Sequence, residues 1–240
     1  MSLRNGENQV SKEAMRTKRL IIIGAGQTAE QIFHLASGLE LFEQIVFAVD
    51  QRYRAQGTFC DSDVLELDSV LNTFDPMQDS AFIAMSWNRL NHHRTAMYDR
   101  IKACNVSLAN LIADTASVYK NASIGDNVWI SELAIVGCSS IVGNNVFVQP
   151  GASVLHNTVI NDHSFIGGSS VIGGNTKIGT GSFVGLGAII FNDLIIGKNC
   201  IIGAGATVRK DLPDYSIVYG PQSMIVQADK NSVLDRLTVT

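Results

Sequence analysis

Two histidines, His156 and His163, stand out in the second half of the chain because imidazole exchanges protons near neutral pH. Gly174 follows His156 by 18 residues. If the chain returns to the same corner of its fold in that interval, the glycine leaves room for a ligand to reach a backbone N–H beside the imidazole. A proton acceptor next to such a donor suits acyl transfer. A solvated turn residue is the alternative interpretation of His156.

A glycine turn near the N-terminus indicates a second site. Residues 19–23 form a continuous aliphatic run, residues 24–29 read Gly-Ala-Gly-Gln-Thr-Ala, and a second apolar run, 45–49, ends at Asp50. Strand, glycine turn, helix, strand and acid is the order of a nucleotide-binding β-α-β unit, in which free N–H groups at the helix start meet phosphate. A tight structural turn is the alternative. The candidate nucleotide-binding residues are Gly24, Gly26, Gln27 and Asp50.

The element that must position His156 is a repeat with a period of six. Every sixth residue from Val118 to Val208 is Val or Ile, and the next residue is often Gly. A helix would scatter these aliphatic side chains over several faces, whereas short strands joined by tight turns place them all inward. The period therefore predicts a parallel solenoid with three hexads in each coil and coils about 4.8 Å apart.

The first half of the chain predicts a small α/β layer. Strands are expected at 19–23, 45–49 and 81–85, with one helix from about Thr28 to a stop at Gly38 and another over about 88–104. Four segments follow from these patterns. They are a flexible tail (1–18), a Rossmann-like nucleotide-binding domain (19–112), an all-β solenoid (113–222) and a C-terminal tail (223–240).

Composition excludes several function classes. The formal net charge is −4 and 17% of the residues are charged, so no basic field predicts nucleic acid or an anionic membrane as a partner. Apolar runs are strand-sized, and we expect no membrane insertion. The four cysteines are widely spaced and form neither a disulfide framework nor a metal-ligand pair. We expect a cytoplasmic protein without a metal.

The repeat resembles that of the hexapeptide-repeat acyltransferases, which implies a left-handed parallel β-helix. With its short Rossmann-like domain in front, the chain also resembles the bacterial nucleotide-sugar acetyltransferases, a group sometimes labelled sialic-acid O-acetyltransferase-like. The resemblance implies that the N-terminal domain binds the nucleotide of the sugar substrate. It further implies that acetyl-CoA binds the β-helix between neighbouring subunits of a homotrimer.

Residues 153–160 resemble the family's catalytic segment, which implies that His156 is the general base and that the Gly174 N–H binds the thioester carbonyl. Some relatives have an acidic residue directly after this histidine, where the present chain has Asn157. Asp162 or an acid of the adjoining subunit is therefore a candidate substitute. Residues 202–211 resemble the terminal coil that meets the adenine and phosphate end of CoA. The resulting cofactor-binding candidates are Gly173, Gly174, Gly205 and Lys210.

The resulting hypothesis is an acetyl-CoA-dependent N-acetyltransferase that acts on a UDP-, dTDP- or GDP-linked amino sugar for cell-surface glycan or lipopolysaccharide synthesis. O-acetylation of a sialic-acid-like sugar at the same site is a close alternative. A third hypothesis is a trimeric scaffold that has lost catalysis. A nicotinamide-dependent oxidoreductase is disfavoured, because no separate domain for hydride transfer follows the short N-terminal layer.

Overall fold

The computed structural model of the protein describes residues 17–53 and 58–222. Most of the predicted N-terminal tail and the whole C-terminal tail lie outside the described residues. The first strand, β1, begins at Thr17, two residues earlier than predicted.

The N-terminal domain is a parallel sheet covered by helices, as the alternation of strand and helix predicts. In chain order it contains β1 (Thr17–Ile23), α1 (Gln27–Leu39), β2 (Phe42–Val49), a 3-10 turn (Gln51–Tyr53), β3 (Thr58–Phe59), β4 (Ser62–Glu66), α2 (Leu67–Asn72), β5 (Asp79–Ile83) and α3 (His92–Ala103). The sheet order is β3-β4-β2-β1-β5, and β3 is the one antiparallel member within the described residues. Strand order therefore reverses at β1, which has β2 on one side and β5 on the other.

Helix α1 passes the predicted stop at Gly38. It continues to Leu39 and ends where Glu40 adopts a left-handed conformation with φ of 54°. Leu39 is buried against the sheet. The burial of this side chain favours one more helical residue after Gly38.

The second domain is built from strands of two residues that form three parallel faces. Face A contains β7 (Ser117–Val118), β10 (Ile135–Val136), β13 (Ser153–Val154), β16 (Val171–Ile172), β19 (Ile189–Ile190) and β22 (Thr207–Val208). Face B contains β8 (Ser123–Ile124), β11 (Ile141–Val142), β14 (Val159–Ile160), β17 (Lys177–Ile178) and β20 (Ile195–Ile196). Face C contains β6 (Leu111–Ile112), β9 (Trp129–Ile130), β12 (Phe147–Val148), β15 (Phe165–Ile166), β18 (Phe183–Val184), β21 (Ile201–Ile202) and β23 (Ile217–Val218).

The period of six fixes both the core and the stacking of this domain. Val154 pairs with Val136 on one side and with Ile172 on the other, and each of these partners lies one full coil away along the chain. The second residue of each strand points inward, and nearly all of these side chains are fully buried. At about 1.5–3 kcal/mol for each buried aliphatic side chain, this column is the main stabilising feature of the solenoid.

Three stacks of turns connect the faces, and we name them by the faces they join. Corner AB contains residues 155–157 and the equivalent turn of every other coil, corner BC contains 161–163, and corner CA contains 149–151. One residue in most turns is left-handed, for example Asn157 (φ 54°), His163 (φ 63°) and Gly151 (φ 68°). Asn and Gly suit these positions because they tolerate positive φ.

The N-terminal domain packs on face C and on corner BC. The ring of Phe82 stacks on Phe147 at 5.9 Å between centroids, and the guanidinium of Arg94 lies 3.9 Å above the same Phe147 ring. Arg94 is fully buried and donates hydrogen bonds of 3.2 Å to the carbonyl oxygens of His163 and Ser164. Burial lowers the pKa of Arg94 to about 9.

A row of side-chain amides also joins the two domains. The backbone N–H of Ile83, at the end of β5, donates to Asn127 Oδ1 over 2.7 Å. Asn127 Nδ2 donates to Asn145 Oδ1 over 2.7 Å, and Asn145 Nδ2 lies 2.9 Å from His163 Nδ1. Because the Asn145 amide donates, His163 Nδ1 is the acceptor and the imidazole is neutral. Burial likewise lowers the pKa of His163, with smaller opposing effects of Asp162 and Asp99.

We expect this histidine to make the fold sensitive to acid. The folded state resists a proton that the unfolded chain accepts near pH 6.5, so stability is complete above that pH and declines as pH falls from there towards the lowered folded pKa. Protonation also removes the acceptor for Asn145, a hydrogen bond worth about 1 kcal/mol. Urea unfolding at about pH 7.5 and about pH 5.5 measures the difference.

His163→Asn is the matched variant for this prediction. Asparagine tolerates the left-handed turn, and its Oδ1 accepts from Asn145 at either pH. The variant should therefore lose much of the pH dependence. An equal response of both proteins would assign the acid sensitivity to other groups.

Candidate functional site

A cleft of about 590 Å³ lies at the carboxyl ends of β1, β2 and β5. This is the point where the strand order reverses, the usual ligand position in open α/β sheets. All four candidate nucleotide-binding residues line it: Gly24, Gly26, Gln27 and Asp50.

The glycine turn brings the start of α1 to the cleft. Gly24 has φ of 123°, and a Cβ there would lie 3.0 Å from the carbonyl oxygen of Ala84, so both the conformation and the space favour glycine. Gly26 is the N-cap of α1, and no side chain caps the helix. The first N–H groups of α1 are thus available to an anion in the cleft.

The acid at the end of β2 is held by a cation that sequence analysis did not identify. Arg100, on α3, donates to Asp50 Oδ1 over 2.6 Å and also pairs with Asp68. The hydrogen bond to Asp50 raises the pKa of Arg100. His93, Ala96, Met97 and Arg100 line the cleft at helical spacing. The spacing of these residues on the predicted helix places Arg100 on the same face as His93, and this pattern could have identified Arg100 from the sequence.

At corner AB, His156 and Gly174 lie on adjacent coils, as the spacing of the repeat predicts. The Asn175 N–H donates to the carbonyl oxygen of His156 over 3.0 Å, which joins the two turns. The exposed imidazole lies against Gly174 so closely that a Cβ on residue 174 would be 2.5 Å from His156 Cε1 and 2.6 Å from Nε2. Glycine at 174 is therefore a requirement of this ring position.

A ladder of polar side chains runs along the same corner beside His156. Asn157 Nδ2 lies 3.3 Å from His156 Nδ1 and donates to Asn175 Oδ1 over 3.2 Å, while Asn175 Nδ2 donates to Asp193 Oδ1 over 2.9 Å. An ionised carboxylate only accepts, so Asp193 fixes the direction of both amides. The ladder consequently presents an N–H to Nδ1 and places the resting imidazole proton on Nε2.

The Gly174 N–H, the candidate donor to a thioester, already has a partner. It donates to Asn192 Oδ1 over 2.9 Å, and Asn192 lies one coil further along corner AB. The oxygen of a side-chain amide thus occupies the position predicted for a substrate carbonyl.

The other predicted site residues lie at different distances from His156 along the solenoid. Asp162 is at corner BC, beyond β14, where its Oδ1 accepts from the Asn144 N–H over 2.7 Å. The structure therefore does not bring Asp162 to His156. Gly205, with φ of 66°, is at corner CA, whereas Lys210 is exposed at corner AB two coils beyond Gly174. Gly173 is buried next to Gly174.

Within residues 17–53 and 58–222 no group of three or more His, Cys, Asp or Glu side chains is arranged to hold a metal ion. No helix in this part of the chain has the length and apolar character needed to cross a membrane.

Comparison with protein-family models gives a match to the bacterial transferase hexapeptide family (six repeats) over residues 121–156. Comparison with curated protein sequences finds no match.

Solved structures match nearly the whole described chain. The acetyltransferase domain of PglB from Neisseria gonorrhoeae, in complex with acetyl coenzyme A, is 29% identical with a TM-score of 0.78, covering 85% of this chain and 97% of that one. A mutant of GDP-perosamine N-acetyl transferase from Caulobacter crescentus, in complex with CoA and GDP-perosamine, is 25% identical with a TM-score of 0.74, covering 84% and 93%. WeeI from Acinetobacter baumannii, 15% identical with a TM-score of 0.53 over 80% and 94%, shares the fold.

These similarities confirm two predictions. The chain has an α/β Rossmann-like domain followed by a left-handed parallel β-helix. It also has the predicted resemblance to the hexapeptide-repeat transferases and to the acetyltransferases that pair this solenoid with an N-terminal domain.

Proposed function

We propose that this chain, an acyltransferase of the hexapeptide-repeat superfamily, transfers the acetyl group of acetyl-CoA to the amine of a nucleotide-linked sugar. The PglB domain was solved with acetyl coenzyme A, and the GDP-perosamine N-acetyl transferase mutant was solved with CoA and GDP-perosamine. The observation that carries the proposal is the packing of the exposed His156 imidazole on Gly174, which places a base beside a backbone position without a side chain.

The reaction needs one base and no covalent intermediate. The sugar amine attacks the thioester carbon, a C–N bond forms, and His156 Nε2 takes the proton that the amine loses. The C–S bond then breaks, and the CoA sulfur leaves with a proton returned by the imidazolium. Nε2 accepts a proton only when the neutral ring carries its own on Nδ1, so Asn157 must turn its Oδ1 towards Nδ1 and release Asn175.

The cleft of the N-terminal domain suits the nucleotide. Its helix N-terminus provides positive potential for the phosphates, and Asp50, which Arg100 holds in place, provides an acceptor for ribose or base. UDP-, dTDP- and GDP-linked amino sugars all remain candidates. Nucleotide sugars and acetyl-CoA are cytoplasmic metabolites, and we place the reaction there, in cell-surface glycan or lipopolysaccharide synthesis.

Exposed apolar rows on the solenoid support a homotrimer. Ile135 and Ile189 on face A, and Ile141 and Ile195 on face B, are each at least 39% exposed in the single chain. Burial of such rows between parallel solenoids is favourable. A trimer would also bring a second chain to corner AB, where the remainder of an acetyl-CoA site is expected. Light scattering at micromolar concentration tests this, and a monomer would contradict it.

The function is tested by thiol release from acetyl-CoA with a panel of UDP-, dTDP- and GDP-linked amino sugars. Turnover with one member, lost in His156→Ala and retained in His92→Ala, is the expected result. His92 is an exposed histidine on α3 and serves as the matched control. Acetyl-CoA binding without turnover of any amino sugar would favour O-acetylation of a sialic-acid-like sugar, and no acetyl-CoA binding would favour the scaffold.

A further inference from the structure

We propose that Asn192 is a catalytic residue whose side-chain N–H donates to the thioester oxygen of acetyl-CoA. This inference rests on the proposed acyl transfer and gives the oxyanion donor a different identity from the one predicted from sequence. The Gly174 N–H then acts through Asn192 by polarising its amide.

The position of Asn192 follows from two consecutive glycines. A Cβ on Gly174 would collide with the His156 ring, and a Cβ on Gly173 would lie 2.5 Å from Asn192 Oδ1 and 2.4 Å from Asn192 N. Gly174 therefore makes room for the imidazole, and Gly173 makes room for Asn192. His156 and Asn192 are the polar side chains that approach this glycine pair from the two neighbouring coils.

The orientation of the Asn192 amide leaves its donors unused. Oδ1 accepts from the Gly174 N–H over 2.9 Å, so Nδ2 points to a different side of the carboxamide. No hydrogen bond from Nδ2 is found within the described residues, and the residue is exposed. Asn157 and Asn175 differ, because both use Nδ2 within the ladder to Asp193. An accepted hydrogen bond at Oδ1 also strengthens the donor character of the same amide.

The chemistry of the step requires such a donor. When the sugar amine attacks, the electron pair of the carbonyl π bond moves to oxygen, and the Nδ2–H bond to that oxygen strengthens as the charge develops. The oxyanion then collapses, the C=O bond re-forms and the C–S bond breaks. No proton leaves Asn192, and His156 handles the one proton that the amine loses.

A purely structural role would make Asn192 equivalent to Asn144. Asn144 Oδ1 accepts from the Asp126 N–H over 3.0 Å. This hydrogen bond between adjacent coils is equivalent to the one from the Gly174 N–H to Asn192, but it lies at corner BC. If this hydrogen bond only stabilises the turn, loss of Asn192 and loss of Asn144 should have the same effect on kcat. If Asn192 is the donor, only its loss should affect catalysis.

Asn192→Asp keeps the acceptor for the Gly174 N–H and removes the donor but adds a negative charge, so Asn192→Ala, which removes the donor without adding a charge, is measured beside it. We expect kcat to fall about 100-fold or more, as for loss of one oxyanion donor, with a KM for acetyl-CoA raised no more than about fivefold, the size of one hydrogen bond. Asn144→Asp should retain near wild-type kcat. Wild-type kcat in Asn192→Ala and Asn192→Asp would overturn the proposal and return the donor role to the Gly174 N–H.

A binding measurement decides the question independently of the acceptor. Calorimetric titration with acetyl-CoA and with CoA should show a preference of wild type for acetyl-CoA of about fivefold, the size of one hydrogen bond. Asn192→Asp should lose that preference and keep its affinity for CoA. Unchanged preference in the variant contradicts the donor role. Failure of wild type to acetylate any acceptor would instead count against the proposed function and leave this titration decisive for Asn192.

Discussion

His156→Ala is expected to lower kcat by about 10³-fold, in the middle of the range for loss of a general base. A neutral sugar amine that attacks the thioester becomes positively charged, and His156 is the one imidazole at corner AB within the described residues that can take its proton. The KM values for acetyl-CoA and nucleotide sugar should change little, because binding uses other groups. Steady-state kinetics with the accepted sugar provide the measurement.

The fold should survive this change. The His156 side chain is exposed, and its contacts are with Gly174 and Asn157. The melting temperature of His156→Ala should therefore lie close to that of the wild type, which distinguishes a catalytic loss from unfolding. Activity above about a tenth of wild type would remove His156 from the base role, since even the lower limit for such catalysis is about 10²-fold.

Gly174→Ala is expected to lower kcat by about 10²-fold through a single methyl group. Cβ at residue 174 would lie 2.5 Å from His156 Cε1, far inside van der Waals contact, so the ring must leave its position. A displacement of about 1 Å at a catalytic group is sufficient for a loss of this size. Gly174 does not have positive φ, and alanine therefore introduces no backbone strain of its own.

A double-mutant cycle tests the mechanism of that loss. If alanine at 174 acts by displacing the imidazole, the double variant with His156→Ala should be no slower than His156→Ala alone. Additive losses would mean that Gly174 contributes through its backbone or through space for the acetyl group. Gly38→Ala, at a helical glycine with nothing within 4 Å of a new Cβ, is the control for glycine replacement in general.

The solenoid could be predicted because one pattern determines its geometry at every level. Val154 and Ile172 are inward, paired and one coil apart for the same reason, namely the period of six. The contact between His156 and Gly174 follows from the same period. The prediction therefore needed no knowledge of long-range contacts.

The details around the base could not be predicted in this way. Asn192 is two coils from His156 along the chain and is one of many polar turn residues that look alike in sequence. The capping of the Gly174 N–H depends on a side-chain rotamer rather than on a period. Asp162 is close to His156 in sequence, but β14 carries it to the next corner. In the N-terminal domain, β4 and α2 were missed because each is short and mixed in polarity.

The regular coil has a consequence for how such a protein can change its length. Insertion or deletion of one complete coil preserves every face and corner and shifts all later coils by about 4.8 Å along the axis. Any other length change must be absorbed within a turn if the later strands are to stay on their faces. The last pair of strands, where Ile201 pairs with Ile217, is joined by a shorter coil and departs from the regular period beyond the corner AB stack. The distance between the reacting atoms and the far end of a long bound cofactor can therefore change only by whole coils, in steps of about 4.8 Å.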